Sequence, residues 1–240
     1  APDLEAAGKV PLAMGQQGWQ QGGAFNVLMS SLVPQDVFMS VYGDKDVGVA
    51  AGGEIATVFQ AASDARAMTL NAPVQNWNDA TNMLITGKAG GQIMGDWAQG
   101  EFAVAGQVAG EDYTCLPGLG VNAYLSTGGD AFYFPKLDDA DKEAAQKRLA
   151  ALLLSPEVQV SFNLAKGSLP VRGDVDLSAA NDCMRKGLAA LAAGNLVPGG
   201  DMVWTPDTQT QTGDLMVEFW KSDMSAADAQ AAWVEILKND

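Results

Sequence analysis

Two kinds of side chain in this sequence have types and spacings that suggest chemistry. Asp96 with Glu101, and Asp130 with Asp112, are carboxylates that can be paired as proton donor and proton acceptor. Trp97, beside Asp96, offers instead a broad apolar face for stacking on a ligand. At the local level it reads equally well as an indole that anchors a helix to a sheet.

These residues lie in the stretch 87 to 102, where five glycines (Gly87, Gly90, Gly91, Gly95 and Gly100) crowd together. Gln92, Ile93 and Met94 form an apolar run between glycines, which predicts a brief buried strand, and Gly95 then predicts a sharp turn. Asp96 stands where a helix N-cap belongs, ahead of Ala98, Phe102, Ala105 and Val108 at roughly helical spacing. Trp97 therefore falls in the first helical turn beyond a strand end, the place where open α/β sheets expose groups to a ligand.

Composition removes several classes of function. The 240 residues contain no histidine, so Ser-His-Asp, Cys-His and the common zinc chemistries lose their usual general base or ligand. With 14 Lys and Arg against 29 Asp and Glu, the net charge of -15 repels phosphate backbones and argues against nucleic acid as a partner. At 48% hydrophobic the chain can bury a substantial core, yet no apolar run approaches the roughly 20 residues that span a bilayer. The opening Ala-Pro-Asp-Leu-Glu has neither a basic segment nor an apolar signal core, so any export signal has been removed or lies upstream. Cys115 and Cys183 suffice for one disulfide or stand as two buried thiols; they fit no CxxC motif and no metal cluster.

Along the chain, a short helix precedes a strand over 10–14. Trp19 opens a helix with a stripe at Phe25, Leu28, Met29 and Leu32. A short helix over 36–41 and a long one over 47–70, weakened at Gly52 and Gly53, come next. A loop over 71–76 leads into the helix of Trp77, Met83, Leu84 and Ile85. Extended runs are predicted at 113–116, 122–125 and 131–134. Asp139 and Ser155-Pro156-Glu157 then announce two helices, the second ending at Lys166-Gly167. Extended 168–172, a helix over 180–193, a Gly/Pro-rich loop over 195–205 and two final helices complete the chain. The last of these opens with Ser225-Ala-Ala-Asp228, a capping box with Asp in place of Glu.

Taken in order, Trp77-Asn-Asp-Ala, the glycine-rich stretch with Trp97, Asp112-Tyr-Thr-Cys115, Gly129-Asp130-Ala-Phe and Ala165-Lys166-Gly-Ser-Leu-Pro-Val-Arg resemble periplasmic solute-binding proteins of ABC sugar importers, in the glucose/mannose-type branch. The resemblance implies an α/β, periplasmic binding protein-like fold of two lobes. One sugar would be held between the lobes, no cofactor would be needed, and a monomer would dock on the membrane permease. It also implies that the chain matches the C-terminal portion of such proteins, with the N-terminal lobe incomplete. Residues 1–125 and 174–240 then form the C-terminal lobe, and 126–173 a segment of the N-terminal lobe.

Carried over position by position, the resemblance makes Trp77 and Trp97 an aromatic platform, Asp130 a cleft carboxylate and Lys166 a cleft lysine. Met202 stands where relatives place a histidine, and Asp201 or Trp204 is a candidate replacement. Structural roles compete: Trp77 as a helix-entry staple, Asp130 as a turn former, Lys166 as a helix C-terminal charge. The resemblance further implies an oxidising compartment, hence a Cys115–Cys183 disulfide. It also implies that Leu149, Leu152, Leu153 and Phe162 lack the strands they should cover, leaving the sugar site half-built. Two other functions compete with a transport receptor: a carbohydrate-active hydrolase using one of the carboxylate pairs, and a ligand-free interaction scaffold.

Overall fold

The computed structural model describes residues 1–70 and 74–240; positions 71–73 of the expected 71–76 loop lie outside the described residues. Helix α1 (Pro2–Ala6) leads into strand β1 (Val10–Ala13), followed by α2 (Gly18–Leu32), α3 (Gln35–Tyr42), α4 (Val47–Ala50) and α5 (Gly53–Thr69). After α6 (Trp77–Ile85) comes strand β2 (Ala89–Gln92), a 3-10 turn over Asp96–Ala98 and α7 (Gln99–Val104). Strand β3 (Leu125–Thr127), α8 (Ala140–Leu153), α9 (Pro156–Lys166), α10 (Asp182–Ala192), β4 (Leu196–Pro198), α11 (Gly200–Val203), α12 (Pro206–Lys221) and α13 (Ala226–Leu237) complete the order.

Strands β1 and β2 pair in parallel, with Val10 opposite Ala89 and Ala13 opposite Gln92. Strands β3 and β4 form a second parallel pair, Leu125 opposite Leu196. Just beyond the end of β1, Gly15 makes an isolated parallel bridge to Val74. Parallel strands end on the same side, so the segments leaving β1 and β2 emerge together.

The core lies between helices α2, α5, α12 and α13. The Trp233 indole is fully buried there, 5.4 Å from Phe25 and 5.8 Å from Phe59 between ring centroids, with Trp204 6.1 Å away. Phe25, Met29, Ile55, Val58, Phe59, Met216 and Phe219 fill the spaces between the helices at helical spacing. Every buried residue of this cluster comes from the segments 14–65, 93 and 197–237.

The structure corrects several expectations. The strand in the glycine-rich stretch is Ala89–Gln92, three residues ahead of the expected 92–94. Gly90 makes that register possible, because a Cβ there would run into Leu4 and the Pro11 carbonyl. The helix over 47–70 divides at Ala51-Gly52, and Asp46 caps the first piece by accepting from the Gly48 and Val49 amides at 2.8 and 3.0 Å. No strand forms at 113–116 or 131–134; Tyr113 instead stacks on Phe102 at 4.0 Å, and the strand near 122–125 starts only at Leu125. The expected loop at 195–205 holds β4 and α11. Its residue Trp204 is buried in the core, 4.3 Å from Tyr42, which removes it as a replacement for the family's histidine.

The local helix signals are realised. Asp139 caps α8 by accepting from Asp141 and Lys142 N–H, and Ser155 caps α9 with Pro156 at its first position. Gly167 ends α9 in the left-handed conformation (φ 86°), while the Ser225 hydroxyl accepts the Asp228 N–H and donates to its carboxylate at 2.7 Å. Cys115 and Cys183 are joined, with 5.4 Å between their Cα atoms.

Candidate functional site

The site grows from the two exits of the first strand pair. Trp19 follows the end of β1 by six residues and Trp97 follows the end of β2 by five, each in the first turn of a helical segment. Adjacent parallel strands bring the two indoles together, 6.3 Å between ring centroids and tilted by 50°. Both remain in contact with solvent, Trp19 at 50% and Trp97 at 37% exposure. Exposed indoles held at the carboxyl end of a parallel strand pair suit ligand stacking rather than core packing.

The local sequence explains both placements. Gly95 has an extended backbone (φ -72°, ψ 169°) that any residue can adopt, so it does not supply the sharp turn expected of it. It supplies space: the Trp97 ring folds back over it, and a Cβ at 95 would strike the indole. Asp96 is likewise not the cap. The N-cap is Gly95, with no side-chain bond, and Asp96 sits inside the turn.

Trp19 is held from the other side. Its Nε1–H donates to Gln17 Oε1 at 3.1 Å; the same oxygen accepts from Gln20 Nε2 at 2.9 Å, and Gln17 Nε2 donates to Asn76 Oδ1 at 3.3 Å. Gln16 N–H meets the Gln75 carbonyl at 3.0 Å, so the segment entering α6 lies against the same exit. Trp77 begins that helix, half-buried, with its carbonyl accepting from Gln92 Nε2 and the Thr81 hydroxyl. The indole in ring contact with Trp97 is thus Trp19, a residue read from sequence only as a helix opener. Its signal was its place in the first helical turn after a strand, as for Trp97, visible once the two strands are known to be neighbours.

The charged partners come from the other segment. Lys166, in the last turn of α9, forms an ion pair with Asp130 at 2.5 Å, and its ammonium lies 5.9 Å from the Phe162 ring centroid. Helix α9 is tied to the Trp97 turn, because Gln99 Nε2 donates to the Gly167 carbonyl at 2.6 Å in a buried bond. Asp96 faces this pair. Its surface is exposed, but the protein packed around the carboxyl desolvates it and pushes its pKa up; Lys166 and the Trp97 and Leu169 amides pull it down, and Asp130 adds to the rise. The result is a tilted indole pair with Asp96 beside Trp97 and, within electrostatic reach of Asp96, the Lys166–Asp130 ion pair.

The remaining candidates stand apart from this arrangement. Met202 is 65% exposed on α11, beyond the end of β4, next to Asp201. Asp112 accepts the Val108 N–H at 2.8 Å within its own turn, and Asp130 is neutralised by Lys166, which disfavours that pair as acid and base. Among the described residues, no helix is long and apolar enough to cross a membrane.

The fold is similar to that of part of several solved solute-binding proteins. It superposes on a chitin oligosaccharide binding protein with a TM-score of 0.70 at 16% identity, covering 99% of this chain and 61% of that one. The bacterial solute receptor AcbH, which has an exclusive substrate preference for b-D-galactopyranose, superposes with a TM-score of 0.68 at 18% identity, covering 99% of this chain and 62% of that one. No family model matches the chain. By sequence it is a homologue of proteins named "Probable sugar-binding periplasmic protein": 35% identical to that of Brucella suis over 194 residues, 80% of this chain and 46% of the relative. The relative of the same name from Rhizobium meliloti is 35% identical over 189 residues, 78% of this chain and 45% of the relative. The chain thus spans about half the length of the curated relatives it matches.

Proposed function

We propose that this chain carries one wall of the sugar site of a periplasmic receptor that hands its ligand to an ABC importer in the membrane. The observation that carries the reading is the solvent-facing Trp19–Trp97 pair set beside Asp96, Asp130 and Lys166. The C–H faces of a pyranose lay apolar area on an indole, while carboxylates and an ammonium at its edge take hydroxyls by short charge-assisted bonds. The sequence relatives are named as sugar-binding proteins, and proteins of similar fold bind chitin oligosaccharide or galactopyranose, which supports the same class.

In this reading residues 1–125 and 174–240 form one lobe and 126–173 belong to the opposite one, with Lys166 and Asp130 reaching the ligand from near the crossover. Trp77 borders the platform beyond Asn76, and Met202 contributes an apolar contact from the far end of the cleft. The receptor works without a cofactor, as a monomer that docks on its permease, in the periplasm or tethered outside a single-membrane cell.

Calorimetric titration with glucose, mannose, galactose and xylose, together with product analysis, tests this against hydrolysis. A receptor binds at least one sugar and returns it unchanged. Replacing Trp97 with Ala should weaken binding by roughly 1–3 kcal/mol, the worth of burying a large apolar side chain. An unchanged dissociation constant in a folded variant would reduce Trp97 to a packing residue, and released product would make the protein a hydrolase.

A further inference from the structure

The indole pair presents two ring faces at an angle to each other. Trp19 and Trp97 meet at 6.3 Å between centroids and both face solvent, so they offer two separate ring faces rather than one. Their 50° tilt matters equally: a flat sugar lying on one ring cannot lie flat on the other. Two linked pyranoses, each rotated relative to the last about the glycosidic bond, can follow such a bend.

Trp19 is also held as a binding surface would be. Its indole N–H is bonded to Gln17 Oε1, and Gln17 is fixed in turn by Gln20, which is almost wholly buried, and by Asn76. Gln20 Nε2 also donates to the Gln75 carbonyl at 3.3 Å, so the network ties the 17–20 turn and the 75–76 segment to one exposed ring. Held at its N–H, the Trp19 ring is fixed in place before any ligand arrives, which is the preorganisation a ligand platform needs.

Building on the sugar-receptor reading, we infer that Trp19 forms a second pyranose subsite next to Trp97, and that the ligand is a glycan of at least two linked pyranose units. Trp97 with Asp96 and Lys166 takes one unit. Trp19, oriented by Gln17, takes its neighbour on the side of the platform away from the ion pair. A monosaccharide fills only the first position and leaves the Trp19 face wet.

The test is calorimetric titration of the full-length protein with glucose, mannose, galactose and xylose, and with the α- and β-linked dimers of each. At least one dimer should bind about tenfold or more tightly than its own monomer, the gain expected from covering a second ring. Trp19→Ala should remove most of that advantage while changing monomer affinity far less. Should this variant not fold, Trp19→Phe, which shrinks the ring and loses the bond to Gln17, should narrow the advantage. Monomers binding as tightly as every dimer, or an advantage untouched by changes at Trp19, would overturn the second subsite and leave the sugar-receptor reading standing. Failure of every sugar to bind would overturn both.

Discussion

Helices α2, α5, α12 and α13 and helices α8 and α9 are made from similar local signals, and their fates differ. The first group closes around Trp233, Phe25, Phe59 and Phe219, all fully buried. In α8 no residue is buried, although Leu149 and Leu152 present an apolar face, and Phe162 on α9 is half-exposed. Caps and propensity are enough to define a helix, but a core requires facing partners. The 126–173 segment is attached by its ends: β3 pairs with β4, and Gln99 grips the Gly167 carbonyl. What lies between rests on its own hydrogen bonds, such as Gln159 Nε2 to Leu153 O at 2.8 Å and Val171 N–H to Gln159 Oε1 at 3.0 Å.

That contrast makes its largest prediction at Trp233. Trp233→Ala opens a cavity among four aromatic rings and should cost about 4–5 kcal/mol, enough to unfold a marginal domain. Leu152→Ala, on the exposed face of α8, should stay within about 0.5 kcal/mol. Urea unfolding of both variants checks the pair. Comparable losses would mean that α8 is packed in solution and that the two regions are not distinct.

A smaller effect attaches to the disulfide, which lies outside the core cluster and joins an irregular loop to α10. Cys183 is buried on α10, and Cys115 brings the segment after α7 to it across 68 residues of sequence. Lys186 strengthens the junction, donating to the Thr114 hydroxyl at 2.8 Å and pairing with Asp182. Replacing both cysteines with Ser should lower stability by about 2–4 kcal/mol, mostly through the unfolded chain. Reductant should reproduce the loss in the parent protein and do nothing to the double variant.

What the sequence disclosed follows the same division. Asp139, Ser155-Pro156, Gly167 and the Ser225 box were legible because a cap acts on amides within one turn. The pairing of β3 with β4 joins residues about seventy positions apart and leaves no mark of comparable strength in either short strand. Asp96 was misread because a polar residue ahead of an apolar run looks like a cap, while the actual N-cap, Gly95, is a residue whose absent side chain makes room for an indole. Trp97 was found through its own neighbourhood and Trp19 was not, since its role exists only once β1 and β2 lie side by side.

The smallest expected effect on stability is at Asp96, and there folding and binding should move in opposite directions. Desolvation raises its pKa above the ordinary 3.8, with Lys166 opposing. A carboxyl whose folded pKa is raised favours the folded state while it is protonated, and that contribution is lost as pH rises from the unfolded value through the folded one. At neutral pH the ionised Asp96 is therefore a slight burden on the fold, and Asp96→Asn should leave stability unchanged or a little higher while flattening its pH dependence in the acidic range. The carboxylate also adjoins Trp97 in the chain and lies within electrostatic reach of Lys166, so the same substitution should weaken sugar binding, a charge-assisted bond becoming a neutral one. Denaturation across pH 3 to 7 and titration at neutral pH separate the two effects. A variant that loses stability at neutral pH would make Asp96 a structural anchor of the Trp97 turn, whereas unchanged stability with reduced affinity would place it in the site as a residue the protein keeps for its ligand.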